Sequence, residues 1–301
     1  MFEQSTLISV TGRLPHDLDR TPSRPSGSLG GVTTILITGA TAGLGRAVTE
    51  RLSGPDTTLL LHGRDAARLE AVAAALPVRP VLLRADLSSL AEVRRLAADV
   101  RAATDRLDVL VNNAGIGGGA PGSARQLSAD GYELRFAVNY LAPFLLTQEL
   151  LPLLRASAPA RVVHVASAGQ QPVDFDDPMI ERGYSPLRAY GQSKLAQITA
   201  GIELAGRLPA AEVTVNSLHP ATLMPTRLVS ESYGRTMDEL ETGVAATVRL
   251  VTDPALAGVT GRYFDRQAEA EAKPQAYDPV ARAELWKLSL ALTGAPDTAQ
   301  S

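Results

Sequence analysis

The sequence predicts an α/β fold, in which one doubly wound domain has a parallel sheet of about seven strands with helices on both faces. Short apolar segments of strand character alternate with longer segments of helix character along most of the chain, as expected for strands joined by helical crossovers. The 301 residues, 45% of them hydrophobic, are enough to bury a full α/β core. We therefore expect a single domain over residues 32–295.

The elements follow one another with little interruption. Predicted strands are Thr34–Thr38, Thr57–His62, Arg79–Arg84, Leu107–Val111, Arg161–Ala166, Glu212–Leu218 and Gly261–Phe264. Predicted helices are Gly43–Leu52, Ala66–Ala75, Ser89–Thr104, Gly131–Ala156, a helix around Tyr190, and an amphipathic helix over Ala281–Leu292 that Asp278 would cap.

Two segments, at about 170–188 and 222–237, are predicted to be substrate loops. The apolar run Leu223–Val229 in the second fits either a loop that lines a pocket or a buried helix face. Trp286 is expected in the core.

The composition excludes several kinds of site. The chain has no cysteine, which excludes disulfides, thiolate metal sites and cysteine nucleophiles. Its four histidines stand at 16, 62, 164 and 219, without metal-ligand spacing, so we expect no metal site. The net charge of −3 gives no electrostatic reason to expect nucleic acid as a partner.

Residues 1–31 are rich in Ser, Thr, Pro and Gly and lack the continuous apolar core of a signal peptide. They are predicted to form a flexible or partly ordered extension. No stretch of the sequence approaches the ~20 apolar residues that a membrane-spanning helix requires. The sequence therefore predicts a cytoplasmic protein without a membrane span.

Three glycines cluster where the first strand gives way to the first helix, at Gly39, Gly43 and Gly45. Glycine lets the backbone turn sharply and approach a ligand, and the amides at a helix N-terminus point at an anion such as pyrophosphate. The spacing differs from Gly-x-Gly-x-x-Gly. A plain glycine turn is the alternative, but the surrounding strand and helix favour dinucleotide binding.

Tyr190 and Lys194 stand four residues apart, and Lys194 is one of three lysines in the chain. In a helix this spacing places phenol and ammonium on one face, one turn apart. A cation that close favours the phenolate, which lowers the tyrosine pKa and makes the phenol usable as an acid or base near neutral pH. An ordinary surface helix is the alternative reading.

With these motifs the chain resembles the short-chain dehydrogenase/reductase family, which shares the Thr-Gly-x3-Gly-x-Gly turn and the Tyr-x3-Lys pair. Asn112-Asn113-Ala114-Gly115, Asn139 and Ser167 follow in the family's order. The resemblance covers about Thr33 to Phe264 and implies a Rossmann domain that binds a nicotinamide dinucleotide.

The resemblance also implies a role for each catalytic residue. Tyr190 exchanges a proton with the substrate oxygen, and Ser167 hydrogen-bonds that oxygen and stabilises alkoxide charge. Lys194 binds the nicotinamide ribose and lowers the Tyr190 pKa. Asn139 resembles the residue that kinks its helix and holds a water for the proton relay, with a polar residue satisfied inside a helix as the alternative.

The cofactor site is expected to extend along the carboxyl ends of the strands. Its predicted residues are Gly39, Thr41, Ala42, Gly43, Leu44, Gly45, Arg46, Arg64, Asp86, Leu87, Asn113, Ala114, Gly115, Tyr190, Lys194, Pro220, Ala221 and Thr222.

Arginine at the end of the second strand favours NADPH over NADH, although NADH stays open. A ribose 2′-phosphate calls for an arginine, whereas a 2′-hydroxyl calls for a carboxylate. Arg64 stands at the expected position and Arg46 follows the last glycine, so two guanidiniums could hold the phosphate. Asp65 could instead reach the ribose. Asp86 resembles an adenine-contacting residue, with capping of the next helix as its alternative.

Two departures from the common family pattern are informative. Ser167 and Tyr190 are separated by 22 residues, where many members have about a dozen. The longer loop resembles the retinol-dehydrogenase-like and protochlorophyllide-reductase-like branch and its NADPH preference. Ala221 replaces the usual glycine after Pro220, which leaves open whether Thr222 or Thr226 contacts the cofactor.

The expected function is NADPH-dependent transfer of hydride between nicotinamide and a ketone or secondary alcohol on an apolar or polycyclic substrate. The alanine-rich composition, with arginine in place of lysine, and the N-terminal extension suggest a role in secondary metabolism. The alternatives are a carbon-carbon double-bond reductase of the same fold and a non-catalytic NADPH-binding regulator. A homodimer through the helices of Asn139 and Tyr190 is a mild preference.

Overall fold

The computed structural model describes residues 32–120 and 122–299. Within them, the strands are β1 (Thr33–Thr38), β2 (Thr57–Gly63), β3 (Val81–Arg84), β4 (Val109–Asn112), β5 (Ala160–Val165), β6 (Val213–His219), β7 (Tyr263–Asp265) and β8 (Ala268–Ala270). The α-helices are α1 (Gly43–Leu52), α2 (Ala66–Ala74), α3 (Leu90–Ala103), α4 (Leu134–Phe136), α5 (Ala142–Ala156), α6 (Pro186–Arg207), α7 (Arg227–Tyr233), α8 (Leu240–Thr252) and α9 (Pro279–Thr293). The extension predicted for residues 1–31 lies outside the described residues.

The strands form one sheet in the order β3-β2-β1-β4-β5-β6-β7-β8. Every neighbouring pair from β3 to β7 is parallel, whereas β8 runs antiparallel to β7. β1 lies between β2 and β4, so the direction of winding reverses there. In such sheets ligands bind outside the carboxyl ends of the strands at this reversal. The doubly wound fold is confirmed, and its site is expected beyond β1 and β4.

The sheet has one strand more than the predicted seven. β8 pairs with β7 through the register Phe264↔Glu269. Its three residues are exposed or half-buried and carry no apolar alternation, which is the signal that would mark a strand.

Each face of the sheet has its own hydrophobic core. Leu36 of β1 belongs to the core that includes Val93 of α3 and Ala196 of α6. The neighbouring Ile35 belongs to the opposite core, with Val48 of α1. Successive side chains of a strand point to opposite faces, so the continuous apolar strands serve both layers of helices.

The helix predicted over residues 131–156 begins at Leu134 and is interrupted. Between α4 and α5, residues Ala137–Leu141 form a π-helical turn in which the amide of Ala142 donates to the carbonyl of Ala137. Such turns occur mostly as single insertions in α-helices, frequently at functional sites. Asn139 lies in this turn, so the predicted irregularity of its helix is present.

The terminal helix has the predicted cap and begins at Pro279, two residues before the predicted start at Ala281. The Asp278 carboxylate accepts from the Val280 amide at 2.9 Å and caps α9. Trp286 of α9 is buried with its ring 5.1 Å from that of Phe144 in α5, and the Arg207 guanidinium of α6 lies 4.4 Å from the Trp286 ring centroid. α9 therefore covers part of the outer face of α5 and α6.

Candidate active site

The glycine turn leaves backbone amides available to an anion. Gly39 and Gly43 have positive φ angles of 68° and 53°, a backbone region that favours glycine. A Cβ on Gly45 would lie 2.3 Å from the Gly39 carbonyl oxygen and 2.4 Å from Asn113 Nδ2, so only glycine fits there. The N-cap of α1 is Ala42, whose side chain cannot cap the helix. The first amides of α1 therefore suit an anion such as a dinucleotide phosphate.

The ends of β1 and β4 are tied together beside this turn. Thr38 Oγ1 accepts from the amides of Asn113 and Ala114, each at 3.0 Å, and donates to the Val111 carbonyl at 3.2 Å. Asn113 Nδ2 donates to the Thr38 carbonyl at 2.8 Å. Asn113 thus supports the turn through β1, while Thr38, the threonine of the Thr-Gly turn, has a supporting role that the sequence reasoning did not predict.

Lys194 is buried below the cleft, and its ammonium is held in one direction. Nζ donates to the Val165 carbonyl at 2.8 Å and to Gln197 Oε1 at 3.4 Å. Burial lowers the Lys194 pKa to about 8. A Cβ on Gly115 would lie 3.6 Å from Nζ, so the glycine keeps the space above the ammonium open. This geometry suits a ribose hydroxyl over Lys194.

Asn139 joins three segments of the site. Its Oδ1 accepts from the Ile116 amide at 2.8 Å, and its Nδ2 donates to the Ile116 carbonyl and to Ser193 Oγ, each at 3.0 Å. Ser193 Oγ donates in turn to the Tyr190 carbonyl at 2.7 Å. The side chain is thus satisfied by contacts to the loop after β4 and to α6. Its role in holding a water stays a prediction.

Ser167 and Tyr190 flank Gly169. A Cβ on Gly169 would lie 3.4 Å from Ser167 Oγ and 3.7 Å from Tyr190 Cε1. The Ser167 hydroxyl accepts from the Gly169 amide at 3.0 Å, and its carbonyl accepts from Gln170 Nε2 and Tyr263 Oη at 2.9 and 3.1 Å. The side chains of the two predicted catalytic residues therefore both lie next to Gly169.

At the end of β2 the two candidate ribose residues differ. Asp65 caps α2, because its Oδ1 accepts from the amides of Ala67 and Arg68 at 2.9 and 3.2 Å. Arg64 is exposed, and among the described residues no ion pair involves it. Arg46 is exposed and pairs with Glu50 at 2.8 Å.

Asp86 does not cap α3, which leaves that alternative wrong. The N-cap of α3 is Ser89, whose Oγ accepts from the Glu92 amide, whereas Asp86 Oδ1 accepts from the Ser88 amide at 2.9 Å. Its neighbour Leu87 belongs to the core. The same holds for Leu44 and Ala221, so these three predicted cofactor residues offer the cleft mainly backbone atoms.

Thr222 and Thr226 lie in different surroundings. Thr226 packs against the glycine turn, since a Cβ on Gly43 would lie 3.2 Å from its Cγ2. Thr222 Oγ1 is 3.0 Å from His219 Nε2 and accepts from Arg266 Nη2 at 3.2 Å. Thr226 is therefore better placed than Thr222 for a ligand on the glycine turn, and the sequence reasoning left this choice open.

A buried histidine supports the same turn and was not predicted. His62 Nδ1 accepts from the Gly39 amide at 3.3 Å, and Nε2 donates to the Ala85 carbonyl at 3.1 Å. Burial lowers the His62 pKa to about 4. The neutral ring thus holds the first glycine across β1, β2 and the end of β3. The sequence signal for this supporting role was the position of His62 at the end of a predicted strand.

Within residues 32–120 and 122–299, no group of three or more His, Cys, Asp or Glu side chains could hold a metal ion. No helix in the same ranges has the length and apolar character to cross a membrane.

Known proteins of one family are similar to this chain. The sequence profile described as short chain dehydrogenase matches residues 33–235. Human retinol dehydrogenase 14 is 36% identical over 296 residues, covering 87% of this chain and 86% of the human protein.

Two solved structures are also similar. The Pseudomonas aeruginosa RhlG/NADP active-site complex has a TM-score of 0.65 at 29% identity and covers 78% of this chain and 95% of that chain. The 3-ketoacyl-(acyl-carrier-protein) reductase of Brucella melitensis, complexed with NADH, has a TM-score of 0.64 at 25% identity and covers 79% and 97%. The chain belongs to the short-chain dehydrogenase family, is retinol-dehydrogenase-like, and is an oxidoreductase.

Proposed function

We propose that this protein transfers hydride between NADP(H) and a ketone or secondary alcohol of an apolar substrate, with Tyr190 as general acid/base. One observation carries the proposal: the buried ammonium of Lys194 stands one helical turn from Tyr190, below open space at Gly115. Its partners are a carbonyl and an amide oxygen, so its charge can act on the tyrosine and on a ribose.

The bound nicotinamide would supply or take up the hydride. The chain's own groups manage the proton and the substrate oxygen. Tyr190 gives a proton to this oxygen in reduction and takes it back in oxidation. Ser167, with its backbone and hydroxyl held by Gly169, Gln170 and Tyr263, donates a hydrogen bond to the same oxygen. Lys194 stabilises the phenolate.

Three side chains support NADP(H) over NAD(H). Asp65 is engaged as the cap of α2, and leaving that role would cost the helix its cap. Arg64 is exposed at the position where a 2′-phosphate would bind. The exposed pair of Arg46 with Glu50 is worth roughly 0–1 kcal/mol, so Arg46 can turn to a phosphate at little cost.

Apolar groups near Tyr190 support an apolar substrate. Leu187 is 53% exposed and lies one turn before Tyr190 on α6, and a Cβ on Gly118 would lie 2.9 Å from its Cδ2. Leu228 of α7 lies over the neighbouring Gly117, since a Cβ on that glycine would lie 3.1 Å from Leu228 Cγ. A relative named retinol dehydrogenase adds an apolar alcohol as the first compound to assay.

The expected dimer would require rearrangement of α9. Glu203 of α6 pairs with Arg282 at 3.2 Å, and the Gln148 carbonyl of α5 accepts from Thr298 Oγ1 at 3.2 Å. These contacts and Trp286 occupy part of the face through which α5 and α6 would pair two copies. We propose that the chain acts as a monomer, and sedimentation velocity measures this directly.

The test is titration with NADPH and NADH, followed by nicotinamide absorbance with retinol, retinal and a panel of apolar ketones. We expect tighter binding of NADPH, turnover of at least one compound, and a loss of about 10²–10⁴ in kcat in Tyr190→Phe. Tyr132→Phe is the control, since its hydroxyl bonds the Leu292 carbonyl away from the cleft. Binding of NADPH without turnover of any carbonyl compound would favour a non-catalytic regulator. Turnover of enones alone would favour a carbon-carbon double-bond reductase.

A further inference from the structure

Arg135 of α4 is a buried arginine with partners in two separate loops. It is 5% exposed. Its Nε donates to the Gly117 carbonyl at 2.9 Å and its Nη2 to the Gly118 carbonyl at 2.8 Å. Its Nη1 donates to Tyr184 Oη at 2.7 Å and to Glu133 Oε1 at 3.3 Å. The planar guanidinium thereby fixes the directions of several partners at once.

The two loops reach the same side of the candidate site. Gly117 and Gly118 follow the cofactor motif at the end of β4, and Tyr184 ends the long loop between Ser167 and α6. Gly118 lies against Leu187, one helical turn before Tyr190. The separation of these two loops therefore affects the width of the cleft where a substrate would approach Tyr190.

The charge of Arg135 is balanced within the cluster. Glu133 is 1% exposed, and its Oε2 accepts from the Phe136 amide at 2.8 Å. Tyr184 Oη donates to Glu133 Oε1 at 3.3 Å, and burial and the carboxylate raise the Tyr184 pKa, which keeps this hydroxyl protonated. A buried ion pair often adds little net stability relative to apolar residues. The four hydrogen bonds of the Arg135 guanidinium do, however, specify one arrangement of the two loops.

We propose that Arg135 is a positioning residue that sets the width of the substrate cleft by holding the Gly117-Gly118 segment and Tyr184 at a fixed separation. The effect on substrate rests on the proposed function. The effect on the loops does not, because it follows from the hydrogen bonds alone.

The kinetic test compares Arg135→Gln, Arg135→Lys and Tyr184→Phe, with Tyr132→Phe as the matched tyrosine control. The probe, used with NADPH, is the aldehyde retinal or whichever ketone of the panel is turned over. We expect KM to rise about tenfold in Arg135→Gln and less in Tyr184→Phe, with kcat and the Kd of NADPH within about twofold of wild type. Arg135→Lys should show a smaller rise in KM than Arg135→Gln, because lysine keeps the positive charge but lacks the planar set of guanidinium donors.

Arg135→Gln leaves Glu133 without its cation, so the double variant E133Q/R135Q covers the case in which the single variant fails to fold. An unchanged KM in both Tyr184→Phe and the folded Arg135 variants would overturn the effect on substrate. A fall in NADPH affinity as large as the rise in KM would also overturn it, because it would indicate a general structural role.

A second readout needs no turnover. By hydrogen exchange, we expect residues 116–119 and 180–185 to exchange about tenfold faster in Arg135→Gln than in wild type, with residues 39–45 unchanged. Unchanged exchange in the two loops would overturn the proposal even if the protein is an active reductase. Faster exchange of the two loops in Arg135→Gln, together with no turnover of any compound by wild type, would support the effect on the loops and reject the proposed function.

Discussion

Two loops border the cleft of Ser167 and Tyr190, and they are held in different ways. The loop over residues 168–185 is bonded along its length. Gln192 Nε2 donates to the Pro178 carbonyl at 2.7 Å, and Gln275 exchanges two hydrogen bonds with the Val173 backbone at 2.6 and 3.0 Å. The Asp177 carboxylate accepts from the amides of residues 181 and 182 at 2.8 and 3.0 Å.

The loop over residues 222–238 is held chiefly at its base. The Thr222 amide donates to Asp238 Oδ2 at 2.7 Å, and Arg266 Nη2 pairs with the same oxygen at 2.6 Å. Toward its tip, Ser232 Oγ accepts from the Gly119 amide at 3.2 Å. From this difference we expect the first loop to act as a fixed wall and the second as a lid that opens more readily at its tip than at its base.

Acid should produce the largest loss of stability, and it should act on the sheet beneath both loops. Burial lowers the pKa of His62 and of His164 to about 4, below their ordinary value of 6.5. The unfolded chain therefore binds protons first, and the free energy of unfolding should fall as the pH drops from about 6.5 through 4. Urea unfolding at several pH values measures this, and a flat profile for wild type would contradict it.

Removing hydrogen bonds from the loop over residues 168–185 should cause the next largest loss of stability. Gln192 is buried, and its Oε1 also accepts from the Asp174 amide at 3.2 Å. Gln192→Leu should lower the free energy of unfolding by about 1–3 kcal/mol, because loop groups lose their partners away from water. Urea unfolding measures it, with the exposed-surface variant Gln267→Leu as control. A loss no greater than the control's would mean that the wall is not fixed by this residue.

Pushing the lid outward should change substrate binding more than stability. A Cβ on Gly117 would lie 2.5 Å from Ser232 Oγ and 3.1 Å from Leu228 Cγ, so Gly117→Ala should displace α7. We expect KM for the assayed ketone to rise about five- to tenfold. The double variant G117A/S232G should recover part of this rise because the nearest contact is gone. No recovery would place the effect in the Gly117 loop itself.

Weakening the base of the lid should have the smallest effect. Asp238→Asn removes the charge that faces Arg266 but keeps an oxygen for the Thr222 amide. We expect the free energy of unfolding to change by less than about 1 kcal/mol, because this half-buried ion pair stays in contact with water. Hydrogen exchange should nevertheless quicken in residues 223–237 and not in residues 168–185. Equal quickening in both loops would erase the distinction between wall and lid.

Much of the fold could be predicted because its signals are local. Buried parallel strands read as apolar runs, and the order of runs and helices predicted seven of the eight strands. β8, α7 and α8 were not predicted. β8 is short and polar, and α7 lies in an apolar segment whose periodicity fits a loop or a helix equally well.

The site divides in the same way. Motif spacing located Tyr190, Lys194, Ser167, Asn139 and the glycine turn, and the structure brings them to one edge of the sheet. Motif spacing could not predict that Thr226 rather than Thr222 lies at the glycine turn, that His62 supports this turn, or that Arg135 joins two loops. Each of these features depends on contact with a residue distant in the chain.

The sequence by itself determined the order of seven strands and of the helices up to the one that carries Tyr190, the glycine turn, and the four-residue step from Tyr190 to Lys194, since backbone geometry and helical periodicity act over a few residues. The tertiary structure alone decided where the Lys194 ammonium points, how each of the two loops is bonded, and what Arg135 joins. Hydrogen bonds between distant segments set these features, and such bonds exist only after the chain has folded.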